Sequence, residues 1–215
     1  PLDLINGKIL TPPNLKGQWH NLKVAEELSK LINKPVYLEN DANLAGLAEA
    51  VVGEGKDYNY VQFFTVSTGL GAGFVINKEI YHGAHGFGNE VANCVMMKDG
   101  PSHGSIIPGG IEAISSGTAI TSRAVKAGLD VKHAGEVNDL AKAGNEVAKQ
   151  IMDDAKEYLA NFIGVVYGYA DPEIVILGGS VALKIDGFVE EVEALAKERV
   201  YEIMKPYVKV RKSTL

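Results

Sequence analysis

The sequence predicts an α/β fold on three observations. Helical and strand periods alternate along the chain, beginning as helix, strand, helix between Asn21 and Val52. Two runs rich in β-branched and aromatic residues flank the glycine-rich stretch STGLGAG, Ser67 to Gly73. A long amphipathic stretch, Gly144 to Ala170, leads directly into DPEIVILGG, an apolar run ending in two glycines.

The elements follow in order. PLDLINGKILTPPNLKGQWHNL is rich in Pro, Gly and Asn and reads as a hairpin followed by a loop. From Asn21 to Asn33, Leu22, Val24, Ala25, Leu28, Leu31 and Ile32 recur at helical spacing. Pro35 to Leu38 predicts a strand, and Ala42 to Val52 a second helix. GEGKDYN, Gly53 to Asn59, is polar with two glycines and marks a domain boundary, dividing residues 1–55 from 56–215. YVQFFTV and FVINKEIY predict strands, the second with a turn near Asn77 and Lys78, and VANCVMM, Val91 to Met97, a third. KDGPSHGSIIPGG is a long loop. ISSGTAITSRAVKAG predicts a helix running to Gly128, and Asn138 to Ala143 a short one. The strongest helix, Gly144 to Ala170, carries Ala148, Ile151, Met152, Ala155, Leu159, Phe162, Ile163, Val166, Tyr167 and Ala170 as one broad stripe. A helix near Ser180, another over Phe188 to Tyr201 and a terminal strand in YVKVRKSTL complete the pattern. The initial Pro and the unfollowed last strand suggest a piece of a longer chain.

The bulk numbers narrow the function. The 215 residues suit one large domain or a domain and a half, and 46% hydrophobic with 22% charged residues is ordinary for a globular protein. A net charge of -6 argues against a general nucleic-acid or membrane-surface binder. The single cysteine, Cys94, excludes an internal disulfide and a cysteine-rich zinc site. With no apolar run near 18 residues and no signal peptide, the expected compartment is cytoplasmic.

Four stretches could carry chemistry, and each has a plainer reading. LENDANLAG, Leu38 to Gly46, ends an apolar run in Glu39, Asn40, Asp41 and Asn43: a catalytic carboxylate at a strand end, or a loop with a helix cap. STGLGAG leaves backbone N–H groups that glycines let a phosphate approach, or it is a hairpin needing glycine for its φ angles. ILGGSVA, Ile176 to Ala182, is an anion site at a strand's carboxyl end, or a tight turn into a helix. GAHGFGNEVANC, Gly83 to Cys94, places Glu90 where it could bind a polar ligand or simply face water. His82, His85 and His103 lack the spacing of metal ligands on one helix.

Read together, these motifs resemble the ROK family of sugar kinases, named for repressors, open reading frames and kinases. LENDANLAG is similar to the family's ENDAN element, TVSTGLGAGFVINKEIYHG to its second phosphate element and hairpin, and GNEVAN to its Glu-x-x-His. GGIEAISSGTAI matches the segment with a sugar-contacting Glu, and DPEIVILGGSVA the strand leading to the adenosine site. The resemblance implies the actin, Hsp70 and hexokinase (ribonuclease H-like) fold, a mixed sheet flanked by helices in two domains that close over ATP and sugar. It implies Asp41 as catalytic base, and Asn40, Glu90 and Glu112 as ligands of sugar hydroxyls; Asn93, standing where the family has its His, could still donate or accept one hydrogen bond there. Thr68 and Gly69 would lie near the phosphates of ATP, and Gly178 and Gly179 near its adenosine. The family's zinc site maps onto Asn93, His103, Ser105 and Gly110, which cannot complete a tetrahedron, so no structural zinc is expected. Residues 1–55 would be the end of the family's first domain, with Asp41, and 56–215 its second.

The implied reaction is ATP-dependent phosphorylation of a hexose or N-acylhexosamine, at the 6-hydroxyl. A carboxylate ionised at neutral pH can take the hydroxyl proton as the phosphorus–oxygen bond forms. Mg²⁺ would be held mainly by ATP oxygens and water. The alternative is a sugar-sensing transcriptional regulator, because the family includes repressors. Expected partners are the sugar and ATP, with no nucleic acid through this segment and no membrane. Family members commonly form homodimers, which these residues neither favour nor oppose.

Overall fold

The computed structural model describes residues 2–10 and 17–215; the Pro-rich part of the predicted opening loop, 11–16, lies outside them. A short antiparallel ribbon, β1 (Leu2–Asp3) and β2 (Lys8–Ile9), precedes helices α1 (Val24–Ile32) and α2 (Asp41–Val52). An antiparallel meander follows: β3 (Tyr60–Val66), β4 (Leu70–Ile76) and β5 (Glu79–Ile80). After a long loop come α3 (Ile111–Ser115), α4 (Gly117–Lys126), α5 (Ala134–Lys142) and α6 (Glu146–Ala170). The chain closes with β6 (Ile174–Gly178), α7 (Gly179–Lys184), α8 (Phe188–Lys197), a 3₁₀ turn over Glu202–Tyr207 and β7 (Val210–Lys212). The sheet order is β5-β4-β3-β6-β7, mixed because β6 runs parallel to β3 and β7 parallel to β6.

Period-two alternation builds the layers. Val61, Phe63, Ile174 and Ile176 pack with Ala50 of α2 on one face. Phe64, Val66, Val175 and Leu177 face the other way, into the core of α6 and α8. There Phe64 and Phe162 meet edge to face with centroids 5.7 Å apart. Both faces are covered, so β3 and β6 read as near-continuous apolar runs. Helix α6 buries Ala148, Ile151, Met152, Ala155, Leu159, Phe162, Ile163 and Tyr167 of the predicted stripe. The Tyr167 hydroxyl accepts from Lys209 N–H at 2.8 Å and donates to its carbonyl, and burial pushes its pKa up to about 12.

Several expectations need correction. Pro35 to Leu38 is not a strand, because no described strand pairs with it, and Tyr37 is 91% exposed. Val91 to Met97 is not a strand: Ala92 and Asn93 turn, Val95 makes a single bridge to Gly110, and Val91, Cys94 and Met96 pack singly against the core, while Ile111 N–H bonds the Cys94 carbonyl. Strand β4 starts at Leu70, so the glycines of STGLGAG lie mostly inside it and only Ser67 to Gly69 turn. The predicted helix from Ile114 to Gly128 breaks at Ser116, whose extended backbone and hydroxyl cap α4 at Ala119 N–H. The short helix begins earlier, at Ala134, where His133 caps it.

The α2–β3 connector is held rather than loose. Lys78, in the β4–β5 turn, sends its ammonium to the carbonyls of Ala50 (2.7 Å), Gly55 (3.2 Å), Lys56 (2.8 Å) and Tyr58 (2.7 Å). Buried Glu49 accepts from Glu54 N–H at 3.0 Å and from the Ser213 hydroxyl. By contrast α1 buries no residue, and Leu31 and Ile32 stand exposed on it. Among the described residues no helix is long and apolar enough to cross a membrane.

Candidate active site

Two cavities flank the β3–β4 hairpin. The smaller, about 60 Å³, sits at the N-terminus of α2 and is lined by Asn40, Asp41, Asn43, Gly71, Asn89 and Glu90, among others. Asn40 is the helix cap: its Oδ1 accepts from the N–H groups of Ala42 (2.9 Å) and Asn43 (3.2 Å). The plain capping reading of LENDANLAG is therefore correct for Asn40, and the cap leaves Asp41 as the first helical residue, exposed at the cavity. One carboxylate oxygen of Asp41 accepts from Ala42 N–H at 2.9 Å.

Glu39, outside the lining, holds two residues of this cavity, Asn40 and Asn43. Its Oε1 accepts from Asn43 Nδ2 (2.9 Å) and Asn40 N–H (2.8 Å), and its Oε2 lies 2.7 Å from His82 Nε2. Burial pulls its pKa upward, but the bonds from Asn43, His82 and Asn40 outweigh that and hold it below the usual carboxylate range. Asn43 is 4% exposed, and its Oδ1 accepts from no group among the described residues. An orphaned buried acceptor beside a cavity suits a hydroxyl-bearing ligand.

The larger cavity, about 530 Å³, lies across the hairpin. Ser67, Thr68, Gly117, Thr118, Thr121, Lys132, His133, Asn138, Asp139, Ser180 and Lys184 contribute to its wall. Among the described residues nothing accepts from the N–H groups of Thr68 and Gly69. Gly69 lies outside both linings, while the hydroxyls, the two lysines and Thr68 on this wall suit an anion such as a polyphosphate chain.

The expected site residues divide. Asn40, Asp41 and Glu90 share the small cavity, and Thr68 lines the large one. Glu112 lines neither; its Oε2 accepts from Leu70 N–H at 2.8 Å, and a side chain at Gly69 would come within 2.7 Å of it. Asn93 also lies outside both, its Oδ1 accepting from Ile107 N–H at 2.8 Å. Gly178 and Gly179 are outside the lining too. Gly179 has φ +84°, and a Cβ there would lie 2.5 Å from the Val66 carbonyl, so the tight strand-to-helix turn explains it. Ser180, the next residue, reaches the cavity. At the positions aligned with zinc ligands, Asn93 and His103 are already hydrogen-bonded and Gly110 has no side chain, so they do not fit the metal.

Sequence reasoning missed Glu39's partner His82, the wall residues Lys132, His133 and Lys184, and the role of Thr118. The only local hint was Ser116, a capping residue inside an apparent helix, which places an α4 N-terminus beside the turn.

A family model described as ROK family matches residues 3–215. The glucokinase of Thermotoga maritima is 32% identical over 196 residues, covering 84% of this chain and 61% of that protein. The xylose repressor of Caldicellulosiruptor bescii is 28% identical over 211 residues, 91% of this chain and 52% of its own length. The crystal structure of the ROK hexokinase from Thermus thermophilus superposes over 100% of this chain and 71% of its own, with TM-score 0.87 and 29% identity. The chain thus spans about three fifths of its curated kinase relative. Its mixed, helix-flanked sheet is the actin/hexokinase-like fold of such neighbours.

Proposed function

The chain belongs to the ROK family, and on that premise we propose that its protein transfers the γ-phosphoryl group of Mg·ATP to a hexose or N-acylhexosamine hydroxyl, the 6-hydroxyl. The observation that carries this reading is the pair of cavities on one hairpin: Asp41 in one, the free N–H groups of the Ser67–Gly69 turn by the other.

In this reading Asn40, Asn43, Glu90 and Asp41 receive the sugar. Amides and carboxylates suit hydroxyls, each of which donates and accepts. Asp41 takes the proton as the sugar oxygen bonds to phosphorus and the bond to the bridging oxygen of ADP breaks. The N–H groups of Thr68 and Gly69, with Lys132 and Lys184, hold the phosphates. Asp41 belongs to the first family domain, dividing from the second after residue 55, so closure of the two would bring sugar and phosphate together.

The test is ADP release by the full-length protein with Mg·ATP and a panel of hexoses and N-acetylhexosamines. Turnover with one sugar class supports the reading. Tight sugar binding without any ADP release contradicts it and favours a sugar-responsive regulator, a second reading that the 28% identity to a xylose repressor keeps open. A helix-turn-helix ahead of residue 1 would likewise favour the regulator.

A further inference from the structure

Neither cavity is lined by His103, yet His103 touches the machinery. It sits on the loop between Lys98 and Gly110, with Nε2 2.9 Å from the hydroxyl oxygen of Thr118. That hydroxyl donates to the carbonyl of Thr68. A threonine hydroxyl has one proton. Once it is given to Thr68, Thr118 can only accept from the imidazole, so His103 Nε2 carries hydrogen.

The consequence lies in the turn. In a trans peptide the C=O and the following N–H point opposite ways. The bond from Thr118 to the Thr68 carbonyl therefore sets the direction of Gly69 N–H. In the same way Gly117 N–H, which donates to the Ser67 carbonyl at 2.7 Å, sets the direction of Thr68 N–H. The first two residues of α4 thus aim both free N–H groups of the turn. His103 holds the hydroxyl that aims one of them.

The loop behind His103 is bonded back to the segment that starts at Glu90. Met96 N–H donates to Gly109 (2.9 Å), Gly109 N–H to Pro101 (2.9 Å) and Ile107 N–H to the Asn93 side chain (2.8 Å). One end of this unit faces the small cavity through Glu90 and the other rests on Thr118.

We infer that His103 is a positioning residue: through Thr118 it orients the Thr68–Gly69 peptide, which the kinase reading assigns to the phosphates, and ties that turn to the loop bearing Glu90. The inference rests on the kinase reading above.

The test uses the full-length protein, calorimetry with Mg·AMPPNP, and ¹⁵N spectra of the imidazole. His103 is expected as the Nε2–H tautomer. His103→Ala should weaken Mg·AMPPNP about threefold to tenfold, the range of one hydrogen bond. His103→Gln, whose amide can still donate to Thr118, should restore affinity to within about twofold. His103→Ala should add nothing to Thr118→Val, because both break one chain of bonds. A bare Nε2, additive losses, or His103→Ala with unchanged affinity in a protein that binds Mg·AMPPNP overturns the role of His103 alone. A wild-type protein that does not bind Mg·AMPPNP overturns the nucleotide reading and this inference with it.

Discussion

Glu39 and Gly179 show how single residues set the site. Glu39 has its pKa lowered in the fold, so its stabilising contribution is complete above the unfolded carboxylate range, near ~4.3, and is lost as pH falls through the lower folded value. His82 is the titratable group in contact with it. Melting temperatures of wild type and Glu39→Gln should differ above the unfolded carboxylate range and converge as the pH falls below about 4. A gap that persists undiminished in strong acid would contradict the hydrogen-bonded carboxylate. Gly179→Ala places a methyl 2.5 Å from the Val66 carbonyl at positive φ, and should lower stability by about 1–3 kcal/mol in denaturant unfolding. This glycine pair was readable as important but not as to why. An ILGG run is equally a ligand contact or a close backbone approach, and only the packing of β6 against β3 separates the two.

Among the elements, the connector between α2 and β3 makes the sharpest claim. Four carbonyls converge on the Lys78 ammonium, which has three protons. Lys78→Met keeps the stem and removes the charge. It should cost about 2–3 kcal/mol, or roughly 5–10 °C in melting temperature. Lys78→Arg should not restore the loss, because a planar fork cannot fill a compact cage. Sequence pattern recovered the elements that bury a regular stripe or pleat: α6, β3 and β6 sit where their apolar periods put them. It failed where a short apolar run lacks a partner. Pro35 to Leu38 has no described strand beside it, and Val91 to Met97 directs its backbone bonds to the end of the following loop and the start of α3. Lys78 was read only as a turn residue, since its acceptors are between 20 and 28 positions away.

At the scale of the whole molecule, one antiparallel hairpin separates two cavities of different character. One holds the carboxylates of Asp41 and Glu90 among asparagine amides, the other Thr68 and further hydroxyls among two lysines and Asp139. The residues on single motifs, Asn40, Asp41, Glu90 and Thr68, were visible in the sequence. Thr118, His103 and Lys132 were not, because α4, α5 and the 98–110 loop meet the turn only after the chain has packed. In the proposed reaction turnover requires both cavities, so it tests the reading as a whole. The decisive measurement is the rate of ADP release by the full-length protein, with its best sugar and Mg·ATP, for wild type and Asp41→Asn. If Asp41 accepts the proton, the substitution lowers turnover by at least about 10²-fold at neutral pH, the usual scale of general-base catalysis. Near-wild-type turnover in Asp41→Asn would contradict its role as the base.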